Sequence, residues 1–391
     1  MPKNSYASRP TPLYKSQISR PKRGLHSASS SDHEPPPERE TFRGPGDDLD
    51  ATPVPTHAFV LHDDGSIGAP NADSDRSNPP ASRLTPDTPQ LIHSSDTPFL
   101  RLYQGNSLEL LDAIAAKYPD GHFDMIFADP PYFLSNGGIT CHAGKMVKVD
   151  KGDWDKSRGS ELNHEFNLEW LRRCQRVLKP NGTIWVSGTH HVIFSIGYAL
   201  QQLGYKILND IAWEKPNPPP NLSCRYFTHS TETVLWAARN ELSKHVFNYQ
   251  EMRKVTGKQM KTVWRKGEFE GSAWIDPDEH GMEIGSSDNP YESLSRECSP
   301  IWTMSAPGRD EKEYGKHPTQ KPVALIERCV LASTKEGDLV LDPFLGGGTT
   351  AVACVRLNRG CVGIELDQAH AHLTAQRIRS EGKQRSGDLF S

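Results

Sequence analysis

The sequence predicts an α/β protein with a doubly wound, mostly parallel sheet. Three observations predict this fold: short apolar runs alternate with amphipathic segments beyond residue 98, the runs have the length of buried strands, and glycine or proline turns separate them. Residues 1–96 differ, because their Pro and Ser runs mixed with charge bury too little apolar surface to offset the entropy of ordering. They are predicted to form a disordered N-terminal tail, with a brief strand near 58–61.

The alternating elements follow one another in chain order. Apolar runs predict strands, and apolar residues at helical spacing predict helices. A Lys-Pro-Asn-Gly turn ends one helix, and a run of three glycines leads into another. The predicted strands are 99–103, 123–128, 183–187, 207–213, 233–237, 339–341 and 361–364, and the predicted helices are 108–117, 168–178, 193–203, 323–333, 349–358 and 368–379.

Residues 218–314 interrupt this alternation. Their first part is basic and aromatic, and 267–309 is rich in Gly, Ser and Asp. The pattern predicts an inserted lobe or long loops beside the sheet.

Composition excludes several classes of protein. The net charge is −4, so any basic surface must be local. No run approaches the roughly 18 apolar residues of a membrane span. The seven cysteines contain no Cys-x-x-Cys pair, which argues against structural zinc and a disulfide framework. We therefore expect a cytoplasmic protein with no membrane and no metal.

A first motif, Asp129-Pro130-Pro131-Tyr132, directly follows a predicted buried strand. Ligands bind at the carboxyl ends of strands in a doubly wound sheet, and the two prolines make a stiff turn. The Asp129 carboxylate and the Pro130 carbonyl are acceptors for an amine, and Tyr132 offers a flat face for stacking. The motif suits an exocyclic amino group on a planar ring.

A second motif runs from Leu341 to Thr350 and contains Gly346, Gly347 and Gly348 between a strand and a helix. Glycines allow close approach of a ligand, and no Gly-Lys-Ser/Thr follows, which excludes a P-loop. Glu365 ends the next strand, where an acid binds ribose hydroxyls. A nucleoside carrying a carboxylate, such as S-adenosylmethionine, suits this pocket.

In this order, the motifs resemble the β-group amino methyltransferases of DNA over about residues 99–380. Within that group the chain is similar to the Dpn/Mbo-type enzymes that modify adenine in GATC. Three further runs carry this resemblance, and they lie at 128–138, 149–155 and 221–233.

The resemblance implies a circularly permuted fold of the S-adenosylmethionine-dependent methyltransferase type, with a target-recognition region inserted. It divides the chain into a tail (1–96), a catalytic half (97–217), a target-recognition region with insertion (218–314) and a cofactor-binding half (315–391). Within this fold it implies methylation of a flipped-out adenine at N6.

The resemblance also implies roles for individual residues. The catalytic motif is Asp129, Pro130, Pro131 and Tyr132. The expected cofactor-binding residues are Asn106, Ser107, His317, Thr319, Gln320, Asp342, Phe344, Gly346, Gly348, Thr349, Thr350 and Glu365. The candidate DNA-binding residues are Asn217, Arg225, Tyr226, Lys258, Lys261 and Arg265. DNA is the expected partner, and a homodimer stays open.

Two alternatives remain at this stage. N4-cytosine methylation uses the same geometry, although enzymes of that kind usually have Ser where this chain has Asp129. An inactive DNA-binding homologue is the second alternative, against which the intact Asp129, Tyr132 and glycine run argue. Cytosine-C5 methylation is disfavoured, because that reaction requires a cysteine nucleophile and the sequence has no Pro-Cys pair.

Overall fold

The computed structural model describes residues 59–68, 88–135, 139–142, 145–148, 155–215, 218, 220–221, 224–256, 262 and 320–388. Its strands are β1 (Val60–Leu61), β2 (Ile67–Gly68), β3 (Gln90–Asp96), β4 (Phe99–Gln104), β5 (Phe123–Ala128), β6 (Ile139–His142), β7 (Lys145–Lys148), β8 (Leu178–Gly188), β9 (Lys206–Glu214), β10 (Thr231–Ala238), β11 (Leu339–Asp342) and β12 (Gly360–Glu365). Its helices are α1 (Ser107–Lys117), α2 (Ser160–Val177), α3 (Ile193–Gln202), α4 (Tyr249–Thr256), α5 (Val323–Ser333), α6 (Thr349–Arg356) and α7 (Gln368–Asp388).

Eight of these strands form one mixed sheet in the order β3-β4-β12-β11-β5-β8-β10-β9. The five strands from β4 to β8 in this order are parallel, while β3, β10 and β9 extend the edges by antiparallel pairing. The predicted α/β fold with a mostly parallel sheet is confirmed.

Helices pack on both faces of this sheet. Successive residues of β5 alternate between two separate cores, because side chains of a strand point to opposite faces. Met125 and Phe127 join the core under α5 and α6, whereas Ile126 and Ala128 join the core under α1, α2 and α3. The sheet is therefore doubly wound, as predicted.

The connections reverse direction between β11 and β5. From β11 the chain continues to β12 on one side, and from β5 it continues to β8 on the other. Such a topological switch point opens a crevice at the carboxyl ends of the two strands. Both sequence motifs begin at these strand ends, so the fold brings them to the same crevice.

The prediction that the tail is disordered up to residue 96 is wrong. Strand β3 pairs with β4 along the edge of the sheet, and residues 59–68 carry the β1–β2 hairpin. The Tyr103 hydroxyl on β4 donates a hydrogen bond to the Gly65 carbonyl at 2.8 Å. Strand β3 is ordered by pairing with β4, and the hairpin is held by side-chain contacts with β4 and by Phe59, which is buried in the core. Composition alone cannot detect such long-range contacts. The remaining tail residues lie outside the described part of the chain.

Other elements also differ from the prediction. Strand β8 begins at Leu178 rather than at 183, and strands β6 and β7 were not predicted. Helix α2 begins at Ser160 rather than at 168, because its first turns are mostly polar and carry only two apolar residues, Leu162 and Phe166. Helix α4 was not predicted, since it lies in the basic segment, where the surrounding charges hide the signal of the buried Met252.

Candidate active site

A cavity of about 870 Å³ opens at the switch point. Asp129 and Pro131, which follow β5, line the same cavity as the glycine turn that follows β11. The other predicted site residues that line it are Asn106, Ser107, Gln320, Asp342, Phe344, Gly346, Thr349, Thr350 and Glu365. The Asp129 motif and the glycine motif thus line one space.

Three polar side chains donate hydrogen bonds to the Asp129 carboxylate. Its Oδ1 accepts hydrogen bonds from the Tyr132 hydroxyl and the Ser187 hydroxyl, both at 2.7 Å. Its Oδ2 accepts from the Lys321 ammonium at 2.5 Å. Ser187 lies near the end of β8, next to β5 in the sheet, so the sheet register aligns it with the motif. The carboxylate is therefore held in one orientation at the cavity wall.

Tyr132 is not the exposed aromatic face that the sequence predicts. The residue is 7% exposed, and the Lys321 ammonium lies 5.3 Å from the centroid of its ring. Burial, reinforced by the charge of Asp129, raises the pKa of the Tyr132 hydroxyl well above 10. The hydroxyl stays protonated and serves as a donor to Asp129 in this state.

Asp155 holds the loop that follows the Asp129 motif. The sequence gave no role to this residue. Its carboxylate accepts from the Tyr132 backbone N–H at 2.9 Å and from the Ser135 hydroxyl at 2.9 Å. Asp155 is fully buried, and these bonds satisfy its charge. It belongs to the 149–155 run quoted above, but the run alone did not indicate which of its acids points inward.

Lys321 extends the charge network to the next strands. Its ammonium lies 3.9 Å from Glu232 Oε2 on β10, and Glu232 Oε1 pairs with the Lys215 ammonium. Burial lowers the pKa of Lys321, but the carboxylates of Asp129 and Glu232 outweigh this effect and raise it above its ordinary value. Lys321 therefore remains charged although it is only 7% exposed.

The glycine turn is shaped by its own backbone and by helix α7. Gly346 and Gly348 have φ of +53° and +77°, a region that L side chains rarely adopt. A Cβ on Gly348 would lie 2.5 Å from Thr374 Cγ2. The Thr374 hydroxyl donates to the Gly346 carbonyl at 2.7 Å, and Arg377 donates to the Gly347 carbonyl at 2.7 Å. Helix α7 thus fixes this turn.

Glu365 lies at the end of β12, opposite the turn. Its Oε2 accepts from the Gly346 N–H and its Oε1 accepts from the Asp367 N–H, each at 2.8 Å. Burial raises the pKa of Glu365, and these two backbone bonds partly counteract it. Each carboxylate oxygen keeps a further lone pair for a ligand hydroxyl.

Comparison with known proteins places this site in a family. A family model described as DNA methylase, of the N6/N4 type, matches residues 123–376, which is more than half of the chain. The chain belongs to this family of DNA methylases. The match contains both the Asp129 motif and the glycine turn, and it confirms the resemblance inferred from the sequence.

Two relatives agree with this assignment. The Type II methyltransferase M2.DpnII of Streptococcus pneumoniae is 49% identical over 270 residues, 68% of this methylase and 87% of the relative. The Type II methyltransferase M2.MboI of Moraxella bovis is 42% identical over 284 residues, 72% of this chain and 89% of the relative. A crystal structure of the M1.HpyAVI–SAM complex is 23% identical with a TM-score of 0.45, and the match covers 72% of this chain and 100% of that one.

Asp342 is a buried residue in the lining of the methylase cavity. Its Oδ2 accepts from the Thr350 hydroxyl at 2.5 Å, and its Oδ1 accepts from the Phe344 N–H at 3.0 Å. Burial raises the pKa of this carboxyl to about 7, despite the two hydrogen bonds. A cationic ligand group beside it would offset the burial of its charge.

Two other predicted residues of the cavity wall, Asn106 and Thr349, form hydrogen bonds with backbone groups. The Asn106 side chain accepts from the Leu108 N–H at 3.0 Å and caps helix α1, which begins at Ser107. The Thr349 hydroxyl donates to the Lys321 carbonyl at 3.1 Å, which joins the glycine turn to the segment carrying Gln320.

Exposed aromatic side chains lie at the same edge of the sheet, where β8 ends and β10 begins. The rings of His190 and His229 stack with centroids 4.1 Å apart, and Tyr226 lies 5.5 Å from His229. Tyr226 and Phe227 are 62% and 95% exposed, and Arg225 beside them is exposed too. Of the predicted DNA-binding residues, Arg225 and Tyr226 are thus exposed at this edge, beside His190 and His229, to which the sequence gave no role.

Six predicted site residues lie outside the described part of the chain: Asn217, Lys258, Lys261, Arg265, His317 and Thr319. Among the residues that are described, no helix is both long and apolar enough to span a membrane, and no cluster of three or more His, Cys, Asp or Glu side chains could hold a metal ion.

Proposed function

We propose that this DNA methylase transfers a methyl group from S-adenosylmethionine to N6 of a flipped-out adenine, within GATC. The observation that carries the proposal is the shared cavity, in which an amine acceptor, Asp129, faces the glycine turn and Glu365. The GATC target is supported by the sequence runs similar to the Dpn/Mbo-type enzymes and by the identity to Type II methyltransferases M2.DpnII and M2.MboI.

The chemistry of the cavity residues fits S-adenosylmethionine. Glu365 presents free lone pairs at the end of β12, where they would accept the ribose hydroxyls. Asp342 is a buried acid that a cationic amino group of the methionine end would neutralise. Phe344, Gly346 and Thr349 line the space between them. When bound, this cofactor supplies a methyl group already activated by a sulfonium.

Asp129 would orient the nucleophile. Its carboxylate accepts an N–H of the adenine amine, and the Pro130 carbonyl is the second proposed acceptor. Drawing both hydrogens aside directs the nitrogen lone pair toward the methyl group. Alignment in a fixed cavity supplies several kcal/mol through proximity, and no protein nucleophile is required.

The adenine must leave the duplex to reach this cavity, at a cost of a few kcal/mol. Stacking of the flipped base on Tyr132 would require its ring to become accessible, because Lys321 now lies beside it. Arg225 and Asn217 are proposed to contact base edges, and Lys258, Lys261 and Arg265 to bind phosphates. Residues 218–314 would thereby form the target-recognition region of a cytoplasmic enzyme.

Analysis of the reaction product tests this function. The enzyme is incubated with S-adenosylmethionine and a duplex containing one GATC site, and the DNA is digested to nucleosides. We expect N6-methyladenine, and none in a matched duplex with the site scrambled. N4-methylcytosine would instead establish the alternative specificity, and the absence of any methylated nucleoside, with cofactor bound, would indicate an inactive homologue.

A further inference from the structure

The buried ammonium of Lys321 lies unequally between two carboxylates. It is 2.5 Å from Asp129 Oδ2 but 3.9 Å from Glu232 Oε2. Lys321 belongs to the polar segment before α5, and neither the motifs nor the resemblance gives it a role. Its position matters, because the amine of the target base would bind the same oxygen of Asp129, Oδ2.

Both oxygens of the Asp129 carboxylate already have donors. Oδ1 accepts two hydroxyl groups, from Tyr132 and Ser187. Oδ2, which would receive the amine of the base, is bound by Lys321. A charge-assisted bond of this kind is stronger than a bond from a neutral amine. Oδ2 keeps a second lone pair, but the amine would share the oxygen with this stronger donor, so its bond to Oδ2 strengthens when the ammonium has another partner to move to.

Glu232 provides that partner. Its Oε2 is buried and has no hydrogen-bond partner within the described structure, whereas its Oε1 pairs with Lys215. A buried carboxylate oxygen without a donor is costly, so its position next to an ammonium requires an explanation. A shift of the ammonium by about 1 Å would bring it to hydrogen-bonding distance.

We propose that Lys321 exchanges partners during the reaction cycle. Its ammonium holds Asp129 Oδ2 when no base is bound, and it moves to Glu232 Oε2 when the target amine enters. Lys321 is thus a positioning residue that keeps the acceptor ordered and then vacates it. The inference rests on the proposed use of Asp129 as the amine acceptor.

The surroundings permit this exchange without a change in net charge. Two carboxylates, Asp129 and Glu232, face two ammonium groups, Lys321 and Lys215, before and after the movement. The main chain of Lys321 is anchored independently, because its carbonyl accepts from the Thr349 hydroxyl. Only the flexible side chain has to move.

Single-turnover methylation by three variants tests the exchange. In Glu232→Gln the ammonium loses its charged alternative, so we expect the rate to fall about 100-fold. In Lys321→Met the competitor is gone while Tyr132 and Ser187 still hold Asp129, and we expect a loss of about tenfold. The double variant should be about tenfold faster than Glu232→Gln alone, because removing the ammonium frees Oδ2.

A merely structural ion pair predicts the opposite order. The double variant would then be as slow as Glu232→Gln or slower, and that result would overturn the exchange, as would a Glu232→Gln enzyme of normal rate. Lys179→Met is the matched control, because Lys179 pairs with Asp124 at 2.7 Å away from the cavity, and its rate should equal that of the wild type. Cofactor titration of each variant verifies that the cavity is folded.

A structure of the wild type with DNA and S-adenosylhomocysteine gives a second measurement that does not depend on how the variants fold. We expect Lys321 Nζ within about 3.2 Å of Glu232 Oε2, with the amine on Asp129 Oδ2. Lys321 still bound to Oδ2 beside the amine would overturn the exchange. Because the nucleoside assay separately identifies the methylated base, a cytosine product would refute the adenine assignment and leave the exchange testable on that amine.

Discussion

The two walls of the cavity are held by different physical means. The wall after β5 depends on side-chain charges, because Asp129 is oriented by Tyr132, Ser187 and Lys321. The wall after β11 depends on backbone conformation and on close packing against α7 at Gly348. Substitutions in the first wall should therefore change the chemistry while the fold persists, whereas substitutions in the second should change stability and cofactor binding together.

The largest expected effect is in the first wall. Asp129→Ala removes the acceptor for the amine, and we expect methyl transfer to fall by at least about 10³-fold while the cofactor affinity changes little. Single-turnover rates and a cofactor titration measure the two quantities. Wild-type turnover in this variant would remove Asp129 from the reaction.

In the second wall, Gly348→Ala should lower the free energy of unfolding by about 2–4 kcal/mol, because the new Cβ meets Thr374 and the backbone has positive φ. Gly204→Ala is the matched control, since Gly204 has φ of +72° with no atom within 4 Å of the Cβ position. Denaturant unfolding should show a smaller loss there, and adding Thr374→Ser to Gly348→Ala should recover part of the difference. Equal losses at both glycines would refute the packing argument.

A smaller effect is expected for the tyrosine of the first wall. Tyr132→Phe removes one donor to Asp129 and keeps the ring, so we expect the methylation rate to fall about tenfold with unchanged cofactor affinity. Tyr205→Phe serves as control, because the Tyr205 hydroxyl is also buried but donates to the Leu171 carbonyl at 2.9 Å. If both variants keep the wild-type rate, the hydroxyl of Tyr132 does not orient the acceptor.

A final prediction concerns the pH dependence of stability in the second wall. Burial raises the pKa of Asp342 from 3.8 to about 7, so the folded protein keeps a proton that the unfolded chain releases. The free energy of unfolding should therefore decrease as the pH rises from about 4 to about 7, by at most about 1.4 kcal/mol per pH unit. Unfolding of Asp342→Asn should lack this contribution, and identical pH dependence of both proteins would contradict it.

The alternation of strands and helices was sufficient to predict the parallel core of the sheet, because buried strands and amphipathic helices leave local signals. It was also sufficient to place Asp129 and the glycine turn at the same edge, since both follow parallel strands. It failed for β3, whose order comes from pairing with β4 rather than from its own composition.

The contacts within the site were less predictable. Asp129 and Lys321 are 192 positions apart, so no local pattern joins them. The sequence predicted that Tyr132 belongs to the site, but it did not predict that the ring is buried. Exposure depends on the side chains that pack over the ring, and these come from distant parts of the chain. The glycine at 348 was interpreted as allowing a ligand to approach the backbone closely. The structure shows that the absence of a Cβ at this position also accommodates the side chain of Thr374.

The central claim is that the cavity brings an adenine amine held by Asp129 to the activated methyl group. A crystal structure with a GATC duplex and a nonreactive analogue of S-adenosylmethionine tests it most directly. The account predicts a flipped adenine whose N6 donates to Asp129 Oδ2 and lies about 3–3.5 Å from the analogue's group in the methyl position. An adenine bound elsewhere, or an analogue on the far side of the sheet from Glu365, would contradict it.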